Sequence, residues 1–188
     1  AIEINPNNAL AYYNRGVGKG NLKDYNGAIA DYTKAIEINP NDADTYINRG
    51  LSKKNLKDYY GAIADYTKAI EINPNNALAY NNRGVSKKEL KDYYGAIADY
   101  TKAIEINPNY VKAYNNRGSS KDDLKDYYGA IADYTKAIEI NPNYALAYSN
   151  RGISKENLGN LNGACVDWKK AAALGKKIAA EWVAKQCN

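Results

Sequence analysis

Small and apolar residues stand at Ala28, Ile29, Tyr32, Ala35 and Ile36, a spacing of i, i+1, i+4, i+7 and i+8 that draws one stripe along a 3.6-residue helix. The stripe returns at Ala62, Ile63, Tyr66, Ala69 and Ile70, and again at every further step of 34 residues. Proline keeps the same period at Pro6, Pro40, Pro74, Pro108 and Pro142, and so does glycine at Gly16, Gly50, Gly84, Gly118 and Gly152. A fixed period of this length is the signature of a repeat architecture. Framed from Ala9, the repeats run 9–42, 43–76, 77–110, 111–144 and 145–178, with 1–8 as the remnant of a preceding repeat.

Each repeat is predicted to be a helix hairpin. Leu22-Lys23-Asp24-Tyr25 supplies a break, and Asp24 can accept bonds from the free amides that open the second helix. Asn39-Pro40-Asn41 ends that helix, because proline cannot continue it and asparagine can cap the next one. A glycine inside a helix costs about 1 kcal/mol relative to alanine. Five at equivalent places therefore predict a close approach between the helices of each hairpin. One hairpin cannot bury its stripe alone, so stability must come from stacking neighbours, and the ends need caps. The segment 179–188 continues the first-helix frame, with Trp182 at the tyrosine slot, and is expected to be a C-terminal capping helix that turns Lys177, Glu181 and Lys185 to solvent. The opening Ala1–Ile4 has no such cap and reads as an apolar edge, as if cut from a longer protein.

The residues Tyr12, Gly16, Ala28, Tyr32, Ala35 and Pro40, repeated as Tyr46, Gly50, Ala62, Tyr66, Ala69 and Pro74 and onward, closely resemble the tetratricopeptide repeat (TPR). Only the fifth repeat drifts, with Trp168 for tyrosine and Gly175-Lys176 where Asn-Pro would stand. The resemblance implies an all-α fold, an α–α superhelix built as a solenoid of TPR hairpins. It also implies that the first helices line a concave groove whose usual ligands are peptides or protein segments.

Two slots depart from the family pattern. The five arginines, Arg15, Arg49, Arg83, Arg117 and Arg151, all precede the glycine, where the family usually has leucine. Lysine never takes that slot, which points to a need for the planar guanidinium to pair a carboxylate at two points. Asp31, Asp65, Asp99, Asp133 and Asp167 of the second helices are the candidate partners, with contact to a ligand as the alternative role of the arginines. Lys19, Lys53, Lys87, Lys121 and Lys155 occupy a slot often tyrosine in the family, and their stems are expected to snorkel over the packed surface.

One residue before each arginine stand Asn14, Asn48, Asn82, Asn116 and Asn150, which the resemblance places on the groove. A primary amide offers both donor and acceptor, and so can meet an extended peptide's backbone regardless of its side chains. The ladder is similar to the asparagine tracks of the tetratricopeptide superhelix in O-linked N-acetylglucosamine transferase. The alternative is that these amides bond neighbouring helices and only solvate the groove. Selectivity is expected where the repeats differ: Tyr13, Ile47, Asn81, Asn115 and Ser149 at one slot, and Leu10, Asp44, Leu78, Lys112 and Leu146 at another. Near the ends of the first helices, Lys54 and Lys88 give way to Asp122, Asp123 and Glu156, a change of sign that either selects a ligand by charge or merely solvates helix ends. The family's carboxylate clamp for chaperone tails is poorly matched: Lys112 fits one clamp lysine, but Asn116 stands at the clamp arginine.

Composition removes several other functions. The chain has no histidine and two cysteines, Cys165 and Cys187, so the usual zinc and acid/base kits are missing and no cofactor is expected. Cys165 fills a slot that is isoleucine in the other repeats, and a core thiol is expected there, with pairing to Cys187 left open. The net charge of +5 comes from lysines spaced among acids, not from a basic run, which argues against nucleic acid. No apolar run approaches the length that spans a bilayer and no signal peptide opens the chain, so no membrane is expected, and the cytoplasm is slightly favoured. The reading is a non-enzymatic module that binds a peptide or protein segment. The competing reading is a structural spacer that self-associates end to end through its uncapped N-terminal edge.

Overall fold

The computed structural model describes residues 7–187; the uncapped edge Ala1–Ile4 lies outside them. Among the described residues there are eleven helices and no strand, the fold class expected from the sequence. The chain divides into two compact units, 1–92 and 93–188.

The first unit holds α1 (Ala9–Asn21), α2 (Tyr25–Ile38), α3 (Ala43–Asn55), α4 (Tyr59–Ile72) and α5 (Ala77–Glu89). Each helix packs on the next in sequence, and the first helices α1, α3 and α5 also touch in turn. The core gathers Tyr46, Ile47, Ala62, Tyr66, Ala69 and Ala79, flanked by Ile36, Ala43, Ile70 and Ile72. Glycine permits the close approach that the sequence predicts. A Cβ on Gly16 would stand 2.7 Å from the Tyr32 ring, and one on Gly50 would stand 2.8 Å from the Tyr66 ring.

The second unit holds α6 (Tyr93–Ile106), α7 (Val111–Asp123), α8 (Tyr127–Ile140), α9 (Ala145–Asn157), α10 (Leu161–Ala173) and α11 (Lys177–Gln186). Its helices again pack in chain order, with a direct contact between α7 and α9. Tyr114, Ala130, Tyr134, Ala137 and Ala147 form one core cluster. Ala164, Trp168, Ala171 and Ala179 form the next, against which Trp182 and Val183 of α11 pack. The rings of Trp168 and Trp182 lie 5.3 Å apart, so the larger indole of the fifth repeat meets the indole of the cap. Lys177, Glu181 and Lys185 are exposed, as expected of the outer face of a terminal helix.

The second helices are capped as the sequence implies: Asp24, Asp58, Asp126 and Asn160 each accept from the amide three residues on, at 2.9 to 3.0 Å. The first helices are less uniform. Asn8 and Asn76 cap α1 and α5, but Asp42 accepts the Thr45 hydroxyl instead, and Tyr110 and Tyr144 supply no side-chain cap. The turn inside each hairpin holds a feature that residue types did not announce. Lys23, Lys57, Lys91 and Lys125 are left-handed, with φ of 62° to 64°, and Gly159 holds the corresponding place in the fifth repeat at φ 78°.

The two cysteines pair. Cys165 on α10 and Cys187 at the end of α11 form a disulfide with Cα atoms 5.5 Å apart, which replaces the core thiol expected for Cys165. The physical reason is the direction of the cap: α11 runs back along α10, returning its last residues to the second turn of that helix.

Candidate functional site

The first-helix face of each unit is held in place by a charged lattice behind it. Arg49 Nε and Nη2 on α3 donate to Asp65 Oδ2 and Oδ1 on α4 at 3.0 and 2.7 Å, and Nη1 donates to Thr33 Oγ1 on α2 at 3.1 Å. One guanidinium thus ties three helices. Arg15 with Asp31, Arg117 with Asp133 and Arg151 with Asp167 make the same two-point pair. Arg83, Arg117 and Arg151 likewise reach the threonine of the preceding second helix. Each guanidinium also lies over the ring of the tyrosine three residues before it, 5.4 to 5.7 Å from the centroid.

The lysines expected to snorkel outward instead turn their heads in. Lys19, Lys53, Lys121 and Lys155 place Nζ 2.7 to 2.9 Å from the same aspartates. The cause is charge: a buried carboxylate flanked by a single arginine still has an oxygen able to take a second cation. The Arg15 hydrogen bonds, helped by Lys19 and opposed by burial, hold the Asp31 carboxyl below the usual range.

Asn14 is exposed, and Asn48, Asn82, Asn116 and Asn150 are half-buried on the first helices. Asn48 Nδ2 donates to Tyr13 OH at 3.0 Å, and Asn150 Nδ2 donates to Asn115 Oδ1 at 3.1 Å. These amides therefore bridge adjacent first helices within a unit. That leaves the Asn48 side-chain oxygen without a donor among the described residues.

Asn81 and Asn115, expected on the groove, are only 5% and 4% exposed. Asn81 Nδ2 donates to Asn82 Oδ1 at 3.5 Å and Asn115 accepts from Asn150, so both orient a ladder amide from behind. Ile47 and Ser149 at the same slot are buried as well, while Tyr13 is half-exposed. Lys112 is exposed, whereas Lys54 and Lys88 are half-buried. Burial pulls the Lys54 amine below its ordinary range, against the opposing charge of Glu89.

Among the described residues, two cavities of the first unit open between its helices. One of about 260 Å³ is lined by Leu10, Tyr13, Asp42, Asp44 and Thr45, which includes the variable residues Leu10 and Asp44. The other, of about 120 Å³, is lined by Gly20, Asn21, Tyr32, Asn48, Ser52 and Asn55. The sequence did not reveal the second, since a glycine at one first-helix position carries no distinct signal. Among the described residues no cluster of three or more metal-binding side chains occurs, and no helix is long and apolar enough to cross a membrane.

Comparison with known families gives the hairpins a name. The tetratricopeptide repeat model matches residues 9–42, 43–76, 77–110 and 111–144, and a second tetratricopeptide repeat model matches 133–165. The chain belongs to the tetratricopeptide-repeat family. This is generally a family of non-enzymatic scaffolds for protein interactions. Among solved structures, a MamA protein is similar at 28% identity over 94% of each chain, with a TM-score of 0.80. MamA from Desulfovibrio magneticus is 20% identical over 88% of this TPR chain and 94% of its own, with a TM-score of 0.81. YrrB, a TPR protein with an unusual peptide-binding site, is 23% identical over 98% of this chain and 95% of its own, at a TM-score of 0.77. No curated protein sequence matches the chain.

Proposed function

We propose that this TPR chain holds an extended segment of another protein against the first-helix face of a unit, with the asparagine ladder gripping the guest backbone. The carrying observation is the Asn48 side chain. Its NH2 is committed to Tyr13 on the neighbouring helix, which fixes the amide's orientation and leaves Oδ1 to accept a backbone N–H from a guest. Asn14 and Asn82 continue the row on α1 and α5, and in the second unit Asn116 and Asn150 stand on α7 and α9. Tyr13 and the half-buried Lys54 and Lys88 flank the row in the first unit, and Lys112 stands at the exposed start of α7. Asn81 and Asn115 act from beneath, by orienting their neighbours.

Each amide contact contributes on the order of 1 kcal/mol net, so binding needs several together with apolar anchors. Leu10 and Tyr13, beside the larger cavity, are suited to that anchoring role. The similarity to YrrB supports this reading, since that fold is one in which a peptide site is built.

The test uses peptides selected from a random display library against the intact chain. Asn48→Ala combined with Asn82→Ala should leave helicity nearly unchanged, cost stability no more than about 1 kcal/mol for the lost Asn48–Tyr13 bond, and weaken the selected peptides at least tenfold. Equal affinity for the double variant would remove the ladder from the mechanism.

A further inference from the structure

The buried hydroxyls of the repeats are treated unequally. In the second unit Tyr134 OH donates to Asp122 Oδ2 at 2.7 Å, and Ser154 Oγ donates to Asp122 Oδ1 at 2.7 Å. A carboxylate projecting from α7 is thus gripped by hydroxyls from α8 and α9. The residues at the same places two repeats earlier are Lys54, Tyr66 and Ser86, and three repeats earlier they are Gly20, Tyr32 and Ser52.

Neither earlier set has a carboxylate of its own. Tyr66 is fully buried and its hydroxyl has no partner among the described residues, while the Ser86 hydroxyl meets the Asn82 carbonyl at 3.2 Å, a contact that Ser154 also keeps with the Asn150 carbonyl at 3.2 Å. In the first repeat the missing side chain leaves the cavity of about 120 Å³, large enough for a few waters or one short side chain. A Cβ on Gly20 would point to within 3.9 Å of the Tyr32 hydroxyl, and Ser52 Oγ lies 3.0 Å from the Asn48 carbonyl, the position from which Ser154 Oγ also reaches a carboxylate.

We propose that the Gly20 cavity receives a carboxylate from an acidic side chain of the bound peptide, held by Tyr32 OH and Ser52 Oγ as Asp122 is held by Tyr134 and Ser154. The chemistry is that of hydroxyl donors converging on an anion, whose bonds are shorter and stronger than neutral ones. Burial pushes the Tyr32 phenol up to about 12, so it remains a donor throughout the neutral range. The amides of Asn21 and Asn55 line the same cavity and offer further donors. This inference rests on the peptide-binding reading and extends it, because Asn48 belongs to both the ladder and the pocket.

The experiment titrates the intact chain with sodium acetate and with acetamide at matched ionic strength, following the Tyr32 ring and the Ser52 amide by NMR. Acetate should shift these signals saturably and acetamide should not. Tyr32→Phe should weaken the acetate response roughly tenfold, the loss of one hydrogen bond to a charged group. Gly20→Asp should abolish it by supplying the carboxylate internally. A reciprocal variant, Asp122→Gly, should gain melting temperature with acetate and not with acetamide. Equal responses to the two probes, or an acetate response that survives Gly20→Asp, overturns the pocket.

Acetyl-Gly-Glu-Gly-amide should then compete with acetate where acetyl-Gly-Gln-Gly-amide and a free-ended Gly-Gly-Gly do not. Competition by Gly-Gly-Gly would overturn the side-chain assignment in favour of a chain terminus. Equal peptide affinity for the Asn48→Ala, Asn82→Ala double variant with a saturable acetate response would sink the ladder alone, and ladder-dependent peptide binding without an acetate response would sink the pocket alone.

Discussion

Arg49 and Asp65 meet at two points across α3 and α4, with the arginine side chain 16% exposed and the aspartate 5%. Lys53 closes the remaining side of the carboxylate at 2.8 Å. Removing either partner strands charge in a place that water reaches poorly. Arg49→Leu and Asp65→Ala are each expected to cost on the order of 3 kcal/mol. Arg49→Lys should recover only part of it, since an ammonium cannot make the planar fork or lie flat over Tyr46. Urea melts of the three variants check this. A loss below the error of the melt for Asp65→Ala would mean that the pair is not structural.

The equivalent pair at Asp31 makes a pH prediction. Its carboxyl is held low chiefly by the Arg15 hydrogen bonds, so the folded state binds its proton more weakly than the unfolded chain does. A depressed carboxyl contributes stability that is present above the unfolded value, about 3.9, and lost as pH falls through the folded value. Stability should therefore decline in acid below about pH 4, and Asp31→Asn should flatten that decline while lowering stability at pH 7. A wild-type curve that stays level between pH 5 and 2.5 would contradict it, these bounds being about those over which a paired aspartate titrates.

The hairpins and the arginine partners were legible in the sequence because both depend on period. A proline and a glycine recurring together fix the hairpin, and an arginine that never yields to lysine announces a carboxylate at a fixed distance along the chain. What escaped depended on space rather than residue type. Asn81 and Asn115 resemble surface amides, but the slot they share with Ile47 is buried. Lys53 and its counterparts read as solvent-seeking until the second aspartate oxygen is seen to face them. The pocket at Gly20 is space left where Asp122 stands three repeats later, and a glycine alone does not announce it.

The disulfide between Cys165 and Cys187 belongs to this second class, since it depends on how the cap docks. It closes a loop of 22 residues around α10 and α11, a length for which chain-entropy arguments give about 3 kcal/mol. Reduction, or Cys187→Ser, should loosen α11 first and leave the first unit unaffected. Hydrogen exchange would show faster amides over 177–186 and an unchanged pattern over 9–89. Uniform acceleration along the chain would instead mean that the cap governs the whole array.

Lys57 supplies the last prediction, because it holds a backbone shape for which lysine is poorly suited. At φ 64° its Cβ crowds the neighbouring carbonyl, a strain of roughly 1–2 kcal/mol for a residue with a side chain. The fifth repeat solves the same turn with Gly159 at φ 78°. Glycine removes the crowding but loses more freedom on folding, which offsets part of the gain. Lys57→Gly should therefore stabilise the chain by about 0.5–1 kcal/mol, and combining it with Lys23→Gly should add nearly linearly, since the two turns are separate. The mirror-image change, Gly159→Lys, should cost a similar amount. If Lys57→Gly lowers the melting temperature, the lysine must be making a contact that outweighs its strained backbone.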